Sequence, residues 1–174
     1  MKFLVDGMLG RLARWLRIMG YDTAYHPNLQ DQELARMARA QGRVLLTRDT
    51  ELARRKGIHC LLIEDQGLED QIRQIFQELQ LSPISPRMDL PRCPVCNASL
   101  EEASADEVRG RVPLHIARTQ QQFRRCLQCN RVYWAGTHVE RMQEQMEGFK
   151  LRPPLKATNR KGSKRPDPGA RTLG

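Results

Sequence analysis

Two Cys-x-x-Cys pairs, Cys93-Pro94-Val95-Cys96 and Cys126-Leu127-Gln128-Cys129, stand 29 residues apart and constrain the second half of this chain more than any other feature. Two thiolates two residues apart on a tight turn face one ion, and two such turns close a tetrahedral four-sulfur shell that selects Zn²⁺ over harder ions. Each pair is followed by an asparagine, Asn97 or Asn130, which tolerates positive φ and lets backbone N–H groups point at the sulfurs. Sulfur takes every coordination position and leaves none for water. The zinc is therefore structural, and the roughly sixty residues around it, poor in large apolar groups, depend on it to fold. A redox dithiol or an iron–sulfur cluster fits less well, because neither pair has a thioredoxin-like context and the two turns match. Cysteines used this way suit a reducing compartment. The fifth, Cys60, lies in the run Cys60-Leu61-Leu62-Ile63 and reads as a buried strand residue.

Upstream, short β-rich runs alternate with helical periods, the pattern of βα units around a parallel sheet. Strand Lys2–Val5 leads to a helix from about Met8 to Met19, with Leu9, Leu12, Leu16 and Met19 on one face and Gly20 as its stop. A strand at Thr23–Tyr25, a helix near Asp31–Ala40 stopped by Gly42, and a strand at Arg43–Thr47 follow. A short helix after Asp49, a strand at His59–Ile63 and a helix from about Leu68 to Leu79 complete the unit. The fold class is α/β, a Rossmannoid parallel sheet with helices on both faces, followed by a small four-cysteine zinc ribbon. Residues 1–81 form the first domain. Residues 82–91, beginning Ser82-Pro83-Ile84-Ser85-Pro86, are the linker, and residues 92–149 are the ribbon.

The net charge of +9 suggests a polyanionic partner, but residues 150–174 hold eight basic residues and one acidic one and account for most of the excess. That terminal segment reads as a disordered basic tail. No apolar run approaches the length of a membrane span, and Asp6 interrupts the only apolar stretch near Lys2, so a soluble, cytoplasmic protein without a membrane partner is expected. Gly7-Met8-Leu9-Gly10 lacks the ending of a phosphate-binding loop and the glycine spacing of a dinucleotide fingerprint, and there is no Gly-x-Ser-x-Gly elbow. No small-molecule cofactor is expected. The sequence carries no signature of oligomeric state.

In open parallel sheets, functional groups collect beyond the carboxyl ends of the strands. Asp6 ends the first strand, Asp49 follows the third, and Asp31 and Glu33 open the helix between them. Carboxylates gathered at one sheet edge need a cation, and hard oxygen ligands select Mg²⁺ or Mn²⁺. Such ions activate water and stabilise phosphodiester cleavage. The plainer reading is capping: Asp31 and Glu33 complement a helix dipole and Asp49 N-caps the next helix. Asp6 is harder to explain that way.

The runs Phe3-Leu4-Val5-Asp6-Gly7-Met8-Leu9-Gly10-Arg11-Leu12-Ala13-Arg14-Trp15-Leu16-Arg17 and Val44-Leu45-Leu46-Thr47-Arg48-Asp49 occur with the paired cysteines and Arg131-Val132-Tyr133-Trp134-Ala135-Gly136-Thr137-His138. Together, over about residues 2–142, they resemble the RNase domain at the C-terminus of Mut-seven proteins, a PIN-like nuclease fold fused to a zinc ribbon. The resemblance implies a PIN-like first domain, RNA as substrate, and Asp6, Asp31 and Asp49 in the family's metal-binding positions. The fourth acid of PIN nucleases has three candidates here, Glu33, Glu51 and Asp65, with Glu33 first.

Arg11, Arg14 and Arg17 recur on the helix beside Asp6 and are candidate phosphate contacts. Arg124, Arg125 and Arg131, with Trp134, mix cations and an aromatic in the ribbon and suit unpaired RNA. The expected function is a Mg²⁺- or Mn²⁺-dependent ribonuclease. The alternatives are a noncatalytic RNA- or ribosome-binding module of the same fold, and a protein-interaction adaptor working through the ribbon.

Overall fold

Short parallel strands with apolar centres need both faces covered, and the helices between them do this. The computed structural model of the protein describes residues 1–81, 91–149 and 151. Strands β1 (Lys2–Val5), β2 (Asp22–Tyr25), β3 (Val44–Thr47) and β4 (Cys60–Leu62) form one sheet in the order β2-β1-β3-β4, every pair parallel. After β1 comes a 3₁₀ turn, Gly7–Leu9, and helix α1, Gly10–Ile18. Helices α2 (Asp31–Gln41), α3 (Thr50–Ala53) and α4 (Leu68–Glu78) follow their strands. The alternation of β1 and β3 sorts the faces. Phe3, Val5, Val44 and Leu46 point at α1 and α4, while Leu4 and Leu45 point at Leu34, Ala35, Ala38 and Leu52 of α2 and α3.

The helix stops follow the expected chemistry. Gly20 (φ +92°) ends α1, with its N–H on Arg17 O and the Tyr21 N–H on Leu16 O, and Gly42 (φ +58°) ends α2. The chain leaves β1 toward β2 on one side and returns to β3 on the other. The carboxyl ends of β1 and β3 are therefore the topological switch point of the sheet, where ligand crevices form.

The loop leaving β1 is wedged in place. The Tyr25 hydroxyl donates to Gly7 O at 2.9 Å; a Cβ on Gly7 would lie 2.7 Å from Pro27 O, and one on Gly10 would lie 2.8 Å from the Tyr25 hydroxyl. Gly7→Ala must displace backbone rather than a flexible side chain. It is expected to cost about 1–3 kcal/mol in a denaturant melt, as overpacking does.

The cysteine module carries a three-stranded antiparallel sheet, β5 (Glu101–Ala103), β6 (Phe123–Arg125) and β7 (Val132–Trp134), with helices α5 (Leu114–Thr119) and α6 (Thr137–Gly148). Its first turn docks on β2, the edge strand of the parallel sheet. Asn97 Oδ1 accepts the Thr23 N–H at 2.9 Å, and Asn97 Nδ2 donates to Asp22 Oδ1 at 2.8 Å. Asp22 in turn pairs with Arg43 at 2.8 Å. The Trp15 and Phe149 rings meet edge to face at 5.2 Å, and one continuous core runs from Phe3 and Leu16 to Cys93, Cys126 and Met142. The expected linker, Pro91 apart, and the basic tail, Leu151 apart, lie outside the described residues. Among the described residues, no helix is long and apolar enough to cross a membrane.

Candidate active site and metal centre

The four cysteine sulfurs all lie within 4.8 Å of one another. Cys93 Sγ and Cys129 Sγ are 3.6 Å apart, and Cys96 Sγ and Cys126 Sγ are 3.3 Å apart. Tetrahedral zinc with Zn–S bonds of about 2.3 Å sets its sulfurs about 3.8 Å apart, so the cluster fits the ion. Asn97 (φ +72°) and Asn130 (φ +58°) take the left-handed conformation expected of them. Burial works against ionising Cys93, Cys96 and Cys126 and pushes Cys96 up to about 12. Cys93, despite its burial, is held down to about 6 by the Tyr133 hydroxyl, which lies 3.1 Å from its sulfur, and by the N–H groups of Cys96 and Val95. Four thiolates this close need a divalent cation among them.

At the other centre, Thr47 is the link. Its side chain is completely buried; the hydroxyl donates to Asp6 Oδ2 at 2.7 Å and accepts the Asp49 N–H at 3.0 Å. One threonine thus ties the acids that follow β1 and β3. Asp49 Oδ1 accepts the N–H groups of Glu51 and Leu52 at 2.7 and 2.8 Å and so caps α3. Asp6 caps nothing through its side chain. Asp6 Oδ1 and Asp49 Oδ2 lie outside these bonds.

Asp31 and Glu33 stand apart. Asp31 opens α2 and its Oδ2 lies 3.9 Å from a terminal nitrogen of Arg55, while Glu33 Oε2 accepts the Gln30 N–H at 3.1 Å and closes the start of that helix. Among the described residues, the cysteine cluster is the one group of three or more potential ligands whose donor atoms all converge within 4.8 Å. Cys60, half-buried on β4, is pushed up to about 11 by burial and then by the Asp6 charge.

The profile of the Mut7-C RNAse domain matches residues 1–146, spanning both the parallel sheet and the cysteine module. The chain belongs to the Mut7-C RNAse domain family. No curated protein and no solved structure matches it. Membership agrees with the resemblance read from the sequence and supports a nuclease-like function for this Mut7-C domain, and its cysteine cluster is suited to zinc.

The basic residues expected to hold RNA divide sharply on the Mut7-C framework. Arg11 and Arg14 are exposed on α1. Arg17 is a correction: it is 6% exposed, and its guanidinium donates to Thr23 O at 2.8 Å, Val95 O at 2.8 Å and Pro94 O at 3.3 Å. It bolts α1 to the first cysteine turn and is not available to phosphates. Burial lowers its pKa, with the Cys93 and Cys96 charges acting the other way. Arg17→Ala should leave RNA affinity unchanged and destabilise the fold by about 2–3 kcal/mol, because it strands buried carbonyls; a thermal melt beside a binding titration separates the two effects.

In the ribbon, Arg124 lies 3.6 Å from Glu102, and Arg125 lies 3.7 Å from Glu107. Arg131 is exposed and hydrogen-bonds the Cys129 sulfur. Trp134 is half-buried against a small core containing Phe123, Val108 and Val112. Sequence reasoning missed Thr47 and Asn97 as positioning residues and Arg55 as the partner of Asp31. A hydroxyl at the last strand position two residues before an acid was the available signal for Thr47.

Proposed function

We propose that this domain is a metal-dependent ribonuclease that hydrolyses RNA phosphodiester bonds at the carboxyl edge of the parallel sheet. Asp6 and Asp49 would hold Mg²⁺ or Mn²⁺, with Asp31 turning from Arg55 to join them. The carrying observation is the Thr47 hydroxyl, which bonds both the Asp6 carboxylate and the Asp49 backbone at the topological switch point. The donor set suits a hard ion: two fixed aspartates, each with an oxygen outside the bonds that fix it. When bound, the ion would supply Lewis-acid stabilisation of the phosphoryl oxygens and a more acidic water. The chain's own part is positional. Thr47 fixes the Asp6 rotamer, the α3 cap fixes Asp49, the wedged Gly7–Gly10 loop holds the start of α1, and Arg11 and Arg14 stand on that helix for phosphates. Glu33, whose Oε2 closes α2, stays the first candidate for a fourth acid.

A second reading draws on the same bonds. Asp49 and Glu33 both serve helix N-termini, as a noncatalytic RNA-binding module of this fold requires. Incubating the zinc-loaded protein with single-stranded RNA, with and without Mn²⁺, decides between them. The ribonuclease reading requires Mn²⁺-dependent fragments, and binding without cleavage under both conditions sinks it.

A further inference from the structure

We infer that Arg55 is a phosphate-binding residue of the acidic site, taking a nonbridging oxygen of an RNA strand beside Asp31 and Asp49. The inference rests on the proposed reading for the location of the substrate, and it adds a residue that neither the sequence motifs nor the family profile singles out.

The backbone at Arg55 is set by the same short element that sets Asp49. Asp49 caps α3, the fully buried Leu52 pins that helix to the sheet, and the Arg55 N–H closes the turn on Leu52 O at 3.2 Å. From this fixed base the side chain reaches the first residue of α2, where one terminal nitrogen lies 3.9 Å from Asp31 Oδ2. The guanidinium thereby lies beside the acid that begins α2, on a backbone six residues beyond the acid that caps α3.

Both partners are well exposed, 38% for Arg55 and 47% for Asp31. An ion pair this open contributes little to stability, so stability does not account for its placement. Two other arginines on this side of the sheet have structural duties. Arg39 donates to Gly57 O and Lys56 O, and Arg43 to Asp22 and Phe3 O. The Arg55 contact engages one terminal nitrogen of a fork with five N–H donors, whose geometry matches phosphate.

Electrostatics supplies the need. Carboxylates at a sheet edge repel a polyanionic strand, and a guanidinium beside one of them gives a phosphate a place to land. α1 lies on one face of the sheet and α3 on the other. Phosphates held by Arg11 and by Arg55 would therefore flank the Asp6–Thr47–Asp49 centre, with the strand crossing the carboxyl edge from face to face.

The test reads binding rather than cleavage, so it is separate from the nuclease question. The zinc-loaded full chain is titrated against a fluorescein-labelled single-stranded oligoribonucleotide by anisotropy, with no added divalent cation, across a KCl series. Arg55→Gln is expected to weaken binding several-fold and to reduce the slope of log Kobs against log[KCl] by about 0.7, the share of one phosphate on a single strand. Arg55→Lys should restore the slope. Arg73→Gln, which alters another exposed pair on α4, should change neither quantity. Asp31→Asn should tighten binding, because it removes the anion and keeps the guanidinium; loss of a merely structural pair would move Arg55→Gln and Asp31→Asn in the same direction. An unchanged slope in Arg55→Gln, weaker binding in Asp31→Asn, or no RNA binding by the wild type would each overturn the inference. Binding that follows the expected pattern with no cleavage in Mn²⁺ would retain Arg55 as a phosphate contact while ending the ribonuclease reading.

Discussion

Asp6→Asn is expected to reduce Mn²⁺-dependent cleavage of single-stranded RNA by about a thousandfold, roughly 4 kcal/mol of lost transition-state stabilisation, and to leave the melting temperature where it was. The stability half of that expectation follows from the hydrogen bonds. The Asp6 N–H bonds Leu46 O through the backbone, the side chain caps nothing, and an asparagine carbonyl still accepts the Thr47 hydroxyl. The negative charge is what disappears. Asp49 allows a sharper comparison because it has two possible duties. Asparagine is as good an N-cap as aspartate, whereas alanine at a cap costs about 1 kcal/mol. If Asp49 holds an ion, Asp49→Asn loses cleavage at unchanged stability, and Asp49→Ala loses both. If it only caps α3, Asp49→Asn behaves as wild type in every assay. Cleavage measured beside a denaturant melt for these three variants separates the two roles, and full activity in both asparagine variants ends the metal-site reading.

The parts of this molecule that were legible in its sequence are those governed by local rules. Apolar periodicity gave α1, α2 and α4, and the conformational freedom of Gly20 and Gly42 gave the ends of the first two. The cysteine spacing gave the metal centre down to the positive φ of Asn97 and Asn130. Arg17 shows where such rules stop. Arg11, Arg14 and Arg17 recur every third residue, but a helix turns about 100° per residue, so each step drifts about 60° from the last. By Arg17 the drift reaches about 120°, and the side chain meets the cysteine turn instead of solvent. Its carbonyl partners, Pro94 and Val95, are 77 and 78 residues away, beyond any pattern on one helix. Thr47 was hidden for a different reason. A threonine in a β-rich run is ordinary strand composition, and its importance appears only when β1 is set beside β3 and Asp6 comes within reach of the hydroxyl. Arg55 sits in a run of three cations that reads as a solvated turn until α2 is packed behind it.

The same long-range contacts decide what zinc is worth to the whole chain. Removing the metal with a chelator, or one ligand by Cys126→Ser, is expected to destabilise the parallel sheet together with the ribbon. Four thiols gathered as closely as these are costly without a cation, and structural zinc supplies about 10–16 kcal/mol of apparent binding free energy in small modules, comparable with the entire stability of an ordinary domain. The loss would not stay local. Arg17 hangs on the Pro94 and Val95 carbonyls inside the first cysteine turn, Asn97 of that turn seals the β2 edge, and Phe149 packs on Trp15. When the turn unravels, β2 loses the partner of its Thr23 N–H, and α1, which leads away from Asp6, loses the anchor at its far end. A loss of even ~5 kcal/mol lowers the melting temperature of a chain this size by roughly 10–20 °C. Two observations would check the coupling: a single melting transition that shifts as a whole on chelation, and hydrogen exchange at the Thr23 amide that accelerates with zinc removal. A sheet transition that stays in place while only the ribbon melts, with Thr23 still protected, would mean that the cysteine module is an appendage; the buried Arg17 predicts that it is part of the framework that holds the acids.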